Sequence, residues 1–203
     1  MRRYDCLQWL AERVTDELVV TALAGTKGEW EALKDADSVI YIQTMGFPAP
    51  VGLGMALGLP RRRVLVLDTE GSQLMNLNAL ASIGWHRPAN LVVLVFDNQC
   101  YEAVGRHPNA TAESADLAAM ARAAGIVNSV AVDDLEGFAS AAARALESPG
   151  PHYVVARVEA VTAAVPPSPI DGLHNKYRFV SHIERTEGKE ILPRLPVTFG
   201  GPG

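Results

Sequence analysis

Two near-continuous apolar runs, Val64-Leu65-Val66-Leu67 and Leu91-Val92-Val93-Leu94-Val95-Phe96, constrain this chain more than any other feature. Neither run alternates with polar residues, so neither suits a sheet with one face in water. Runs of this kind are central parallel strands covered on both faces. The flanking segments agree. Leu7, Leu10, Ala11 and Val14 form a helical stripe within residues 4–17, and Leu18 to Ala22 follow as a buried strand. A turn at Gly25 to Gly28 leads to a short helix at 29–33 and a strand at 39–42. A glycine-rich helix is expected at 50–59, and one bearing Leu74, Leu77, Ala81 and Gly84 after the first run. Further helices at 115–124 and 135–146 alternate with strands at 127–132 and 153–158. The expected fold class is α/β, a parallel β-sheet with helices on both faces and right-handed crossovers.

After Val158 the pattern weakens, and six of the thirteen prolines lie beyond residue 160. The expected organisation is one α/β domain over residues 1–158 and a Pro-rich C-terminal arm over 159–203, with a short anchored segment at Tyr177 to Val180 and Ile183. A chain of 203 residues that is 48% hydrophobic supports one well-packed domain. Its net charge of −5 gives no basic footprint for nucleic acid or an anionic membrane. Cys6 and Cys100 stand far apart without paired spacing, which argues against a disulfide framework and for a reducing compartment. The N-terminal residues lack the apolar segment of a signal peptide, and no run is long enough to span a bilayer. A cytoplasmic location is expected. His86, His152, His174 and His182 show no mutual spacing that suggests a metal site or a triad.

Ligands of open α/β sheets bind beyond the carboxyl ends of the strands. The first run leads into Asp68-Thr69-Glu70-Gly71-Ser72 and the second into Asp97-Asn98-Gln99-Cys100. A helix start after Gly-Ser offers N–H groups to a phosphate. A carboxylate, an amide oxygen and the Cys100 carbonyl are hard oxygen donors suited to magnesium, if a diphosphate and water complete its octahedron. The same residue types also serve as helix caps and turn formers.

The wider pattern points further. Asp68, Gly71-Ser72, Leu74-Met75-Asn76-Leu77, Pro88, Asn90-Leu91, Asp97-Asn98, Tyr101 and Gly105 follow one another at spacings that resemble the thiamine-diphosphate signature. Upstream, Thr44-Met45-Gly46 and Val51-Gly52-Leu53-Gly54 resemble the Ser-Met-Gly and Gly-Leu-Gly segment of the same family. Over residues 1–158 the chain is similar to the β subunit of sulfopyruvate decarboxylase and the C-terminal part of phosphonopyruvate decarboxylase. The resemblance implies thiamine diphosphate and Mg2+ as cofactors. It implies Glu70, Asn98 and the Cys100 carbonyl as metal ligands, and Gly71 and Ser72, beside Thr69, at the diphosphate. Met45 would brace the bent cofactor, its N–H and the Gln43 carbonyl would bind the aminopyrimidine, and Thr44 and Tyr101 would also be cofactor-binding. Arg106 and His107 follow the metal loop, where they would meet an anionic substrate tail.

Two departures stand out. Thr69-Glu70-Gly71 replaces Gly-Asp-Gly, so the carboxylate gains a methylene and must fold back, or the metal must shift. Threonine also adds bulk and disfavours positive φ. Gln43 stands where relatives have glycine.

The glutamate that activates the cofactor belongs, in this family, to a separate pyrimidine-binding domain, for which one β-α set leaves no room. The resemblance therefore implies a hetero-oligomer with a pyrimidine-domain subunit that decarboxylates a small 2-oxoacid, of sulfopyruvate or phosphonopyruvate type. Two alternatives stand beside it: a non-catalytic structural or regulatory subunit with an eroded site, and a carboligase or synthase subunit.

Overall fold

In the computed structural model both apolar runs become adjacent strands at the centre of one parallel sheet. The structure describes residues 1–167 and 171–192. In chain order these form α1 (Arg3–Ala11), β1 (Leu18–Thr21), α2 (Gly25–Leu33), β2 (Val39–Tyr41), α3 (Pro48–Gly58) and β3 (Val64–Thr69). There follow α4 (Glu70–Leu74), α5 (Asn78–His86), β4 (Leu91–Asp97) and a short hairpin of β5 (Cys100–Tyr101) and β6 (His107–Pro108). The chain continues through α6 (Leu117–Ala123), β7 (Asn128–Val132), α7 (Leu135–Glu147), β8 (His152–Arg157) and α8 (Gly172–Glu187). Among the described residues no helix is long and apolar enough to cross a membrane.

The six-stranded sheet has the order β2-β1-β3-β4-β8-β7, and all its pairings are parallel. Side chains alternate along each strand between two cores. Leu65, Leu67, Val92, Leu94 and Phe96 pack with α1, α2 and α7, while Val64, Val66, Val93 and Val95 pack with α3, α5, α6 and α8. This two-sided burial is why β3 and β4 are apolar at nearly every position. It also fixes the site. The chain leaves β1 toward the α2 layer and leaves the adjacent β3 toward the α5 layer, so a crevice opens between their carboxyl ends.

Several elements differ from the sequence expectation. Helix α1 stops at Ala11, and Glu17 accepts from the N–H groups of Thr15 (2.7 Å) and Asp16 (3.2 Å), which fixes a turn before β1. The turn expected at 25–28 is the first turn of α2. The helix expected after β3 is broken into α4 and α5, because Asn76 donates its side chain to the Gly46 carbonyl at 2.7 Å and its own N–H to Gln73. Gly84 marks where α5 meets α6: a Cβ there would lie 1.8 Å from the Ala124 carbonyl oxygen.

The segment expected at Tyr177 to Val180 and Ile183 is the middle of α8, a 16-residue helix capped by Asp171 and ended by Gly188 at φ 63°. Asn175, Phe179 and Ile183 share its buried face. Asn175 accepts from Tyr41 N and donates to the Val39 carbonyl, both at 2.9 Å, so α8 covers the exposed edge of β2. Residues 168–170 and 193–203 of the expected arm lie outside the described residues.

Candidate functional site

The crevice beyond β1, β3 and β4 holds a cavity of about 360 Å3. Of the residues singled out from sequence, Met45, Thr69, Glu70, Gly71, Asn98, Cys100, Tyr101 and Arg106 line it. Gln43, Thr44, Ser72 and His107 do not. Gln43, Thr44 and His107 are exposed, and His107 pairs with Tyr101 in the β5–β6 hairpin. Ser72 is fully buried; its Oγ accepts from Gly46 N at 2.9 Å, which fixes the turn that presents Met45.

The Thr69-Glu70 departure folds without strain. Thr69 has extended backbone (φ −121°, ψ 156°) and caps α4 by accepting from Ser72 N at 3.4 Å, so no positive φ is required of it. Asp68 turns inward: its carboxylate accepts from Thr69 N (2.9 Å) and Gln73 Nε2 (2.6 Å), and Gln73 in turn accepts from the Tyr153 hydroxyl (3.0 Å). Burial lifts the Asp68 carboxyl to about 6. Both its oxygens are thus engaged inside the fold, and Asp68 does not line the cavity.

Glu70 is 2% exposed yet reaches the cavity. Its Oε1 accepts from Asn109 Nδ2 at 2.8 Å and its Oε2 from Asn98 N at 3.4 Å. Burial, then the Asp97 charge, raise its carboxyl to about 7. Among the described residues no cation forms an ion pair with it. The Asn98 amide is fixed at both ends: Oδ1 accepts from Cys100 N (3.1 Å) and Nδ2 donates to Glu102 (3.1 Å). Gly71 gives the Tyr101 ring room, since a Cβ there would lie 3.0 Å from it. Glu70, Asn98 and Cys100 thus line the same cavity, and between them they carry a carboxylate, an amide oxygen and a backbone carbonyl. Among the described residues no three His, Cys, Asp or Glu side chains form a metal cluster, so a cation here would rest on this mixed oxygen set.

The opposite wall went unread in the sequence. Leu23, Ala24, Gly25 and Thr26 bring the start of α2 to the cavity. Helix α2 has no side-chain cap, and the N–H groups of its first three residues, Gly25, Thr26 and Lys27, have no intrahelical acceptor. The Thr26 hydroxyl is fully buried and makes no hydrogen bond. Arg3 and Thr162 also line the cavity, and Arg3 donates to Glu29 through Nε (2.7 Å) and Nη2 (3.2 Å), and to Thr162 Oγ1 (3.0 Å). Thr162 in turn donates to Glu102 at 3.0 Å. A Gly-Thr after a strand is a signal for the α2 wall. The Arg3–Glu29–Thr162 tie joins residues too far apart for any spacing rule.

Comparison with known proteins identifies the family. The family described as thiamine pyrophosphate enzyme, C-terminal TPP binding domain, matches residues 32–156. Phosphonopyruvate decarboxylase of Streptomyces viridochromogenes is 38% identical over 165 residues, covering 81% of this chain and 39% of that protein. Sulfopyruvate decarboxylase subunit beta of Methanococcus maripaludis is 31% identical over 189 residues, covering 91% of this chain and 99% of that subunit. The chain therefore spans well under half of the first relative and nearly all of the second. Benzoylformate decarboxylase from Polynucleobacter necessarius shares the fold, with a TM-score of 0.66 at 18% identity over 81% of this chain and 34% of that one. The chain belongs to the thiamine pyrophosphate enzyme family, as a member of its C-terminal TPP-binding domain.

Proposed function

We propose that this chain is the diphosphate- and magnesium-binding subunit of a two-component thiamine-diphosphate-dependent 2-oxoacid decarboxylase. One observation carries the reading. A single cavity sets an uncapped helix start and an unpartnered buried Thr26 hydroxyl against a buried Glu70 carboxylate that has no counter-ion among the described residues. One wall suits an anion and the other a cation, which is the demand of a metal diphosphate. Glu70, the Asn98 amide oxygen and the Cys100 carbonyl would hold the metal. Gly25, Thr26 and Gly71 would hold the diphosphate, and Met45 the cofactor's apolar body. When bound, the cofactor supplies the electron sink for loss of carbon dioxide. The chain's own residues bind, orient and shield it.

The relatives named as subunit beta support a partner that carries the pyrimidine-binding half and the activating glutamate. The test is co-expression with a pyrimidine-domain protein encoded beside this chain. Thiamine diphosphate is titrated with Mg2+, and products from 3-sulfo- and 3-phosphono-2-oxopropanoate are identified. Mg2+-dependent binding, with aldehyde formed only when both chains are present, is expected. Full activity of this chain alone overturns the two-component reading. No binding with the partner present leaves a non-catalytic module, and carbon–carbon-joined products mean a carboligase.

Arg106 stands at the cavity rim, with φ 58° and its backbone N–H donated to the Tyr101 carbonyl at 3.0 Å. Its guanidinium is largely exposed and 4.0 Å from Glu102, so it is available to a sulfonate or phosphonate tail. Arg106→Ala is expected to raise KM for the anionic oxoacid about tenfold and to leave kcat near its starting value, as loss of uniform binding does. An unchanged KM removes Arg106 from substrate recognition.

A further inference from the structure

We propose that Asn109 is the positioning residue that makes a glutamate workable at position 70, a role that rests on the metal-binding reading above. Glutamate is one methylene longer than the aspartate of the family signature, so its carboxylate must be folded back and held. The structure shows what holds it. Asn109, 8% exposed, donates Nδ2 to Glu70 Oε1 at 2.8 Å, leaving Oε2 toward Asn98 N and the metal-loop side of the cavity.

The amide cannot be turned the other way. Asn109 Oδ1 accepts from Thr111 N at 3.0 Å, and a backbone N–H can only donate, so Nδ2 must face Glu70. The loop that carries Asn109 is tied down in turn. Asn109 N donates to the Gln99 carbonyl (3.1 Å), Gln99 Nε2 donates to the Thr111 carbonyl (3.2 Å), and the Thr111 hydroxyl lies 2.7 Å from Asp97 Oδ1. The loop after β6 is thereby locked to the end of β4, the strand that delivers Asn98. Residues that orient a metal ligand in this way commonly set affinity by about ten- to a hundredfold. Asn109 touches neither metal nor substrate; it acts through Glu70.

The test is Asn109→Ser, read by isothermal titration of Mg2+ into the full chain with saturating thiamine diphosphate, alone and with its partner. Serine retains an oxygen that can cap the 3-10 turn at Ala110–Ala112, as Asn109 now does, but it is too short to reach Glu70. The expected result is Mg2+ affinity lower by about tenfold or more, with a cooperative thermal transition retained and its midpoint lowered by only a few degrees. The same substitution is made in a Glu70→Asp background. Aspartate falls a methylene short of Asn109, so Asn109→Ser is expected to change affinity there by less than about twofold. Equal losses in both backgrounds, or no loss in the wild-type background, overturn the role of Asn109 while the cofactor reading stands. No Mg2+ binding by the wild-type chain with its partner present overturns both.

Discussion

Glu70→Gln is expected to abolish Mg2+-dependent binding of thiamine diphosphate while stabilising the ligand-free chain. The two effects come from one fact. The Glu70 carboxylate is buried beside Asp97, itself 1% exposed, and among the described residues no cation pairs with it. A charge in that position is costly to the fold and useful only to a ligand of opposite sign. Glutamine keeps the shape and removes the charge. Its oxygen still accepts from Asn109, while its amide faces the Asn98 N–H less favourably. The net gain for the ligand-free chain is about 1 kcal/mol, after the weakened contact is set against relief of a buried charge. For a chain of this size that raises the thermal midpoint by roughly 2–4 °C. Removing the one charged group of the proposed ligand set lowers metal affinity by more than about a hundredfold, beyond the effect of a residue that merely orients one. Thermal melts and calorimetric titration of Mg2+ with thiamine diphosphate check both arms. A variant that binds as the wild type does would place the metal elsewhere, and a destabilised variant would mean that the carboxylate is a structural acceptor.

Parts of this site were legible in the sequence because they are local. The apolar runs of β3 and β4 end in turns whose residues cap the next element, and Asn98, Cys100 and Tyr101 stand within four positions of one another. Strand periodicity and turn chemistry operate over such distances, so the sheet, the part of the cavity lined by Glu70, Asn98 and Cys100, and the family pattern could be read. The parts that could not be read are assembled across the chain. Asn109 meets Glu70 from 39 residues away, and Asn175 covers β2 from 134 residues away. Neither contact leaves a periodic trace. Helix α8 did leave one, in Asn175, Phe179 and Ile183 between Asp171 and Gly188, but its charged exposed face and the surrounding prolines masked it. Ser72 shows a subtler limit. The motif offers its backbone N–H to a phosphate, yet that N–H is donated to the Thr69 hydroxyl and the side chain holds Gly46, so Ser72 does not line the cavity.

The largest loss of stability is expected from Glu29→Ala. Arg3 and Glu29 form a two-pronged ion pair with side chains 4% and 0% exposed, and Glu29 also accepts from Ala163 N at 2.7 Å. Gly25 lies against the same guanidinium, since a Cβ there would fall 2.3 Å from Arg3 Nη2. One pair therefore fastens α1, the first turn of α2 and the segment after β8, three of the pieces that wall the cavity. Removing the carboxylate leaves a buried guanidinium with Thr162 at 3.0 Å and the Glu102 carboxylate at 4.0 Å as its remaining partners. Breaking a buried pair from one side costs about 3–5 kcal/mol, a large share of the roughly 5–15 kcal/mol that a domain commonly has. The thermal midpoint should fall by roughly 10 °C. The double variant Arg3→Met with Glu29→Leu removes both charges and fills the space with apolar atoms, so it should regain most of that loss. It should not regain ligand binding in full, because the tie to Thr162 and Ala163 is gone and the α2 wall loses its backing. Urea unfolding of the single and double variants, followed by titration of thiamine diphosphate, separates the two contributions. A cost below about 1 kcal/mol for Glu29→Ala would mean that water reaches the pair, as it does for exposed salt bridges, and that the cavity wall is held by packing alone.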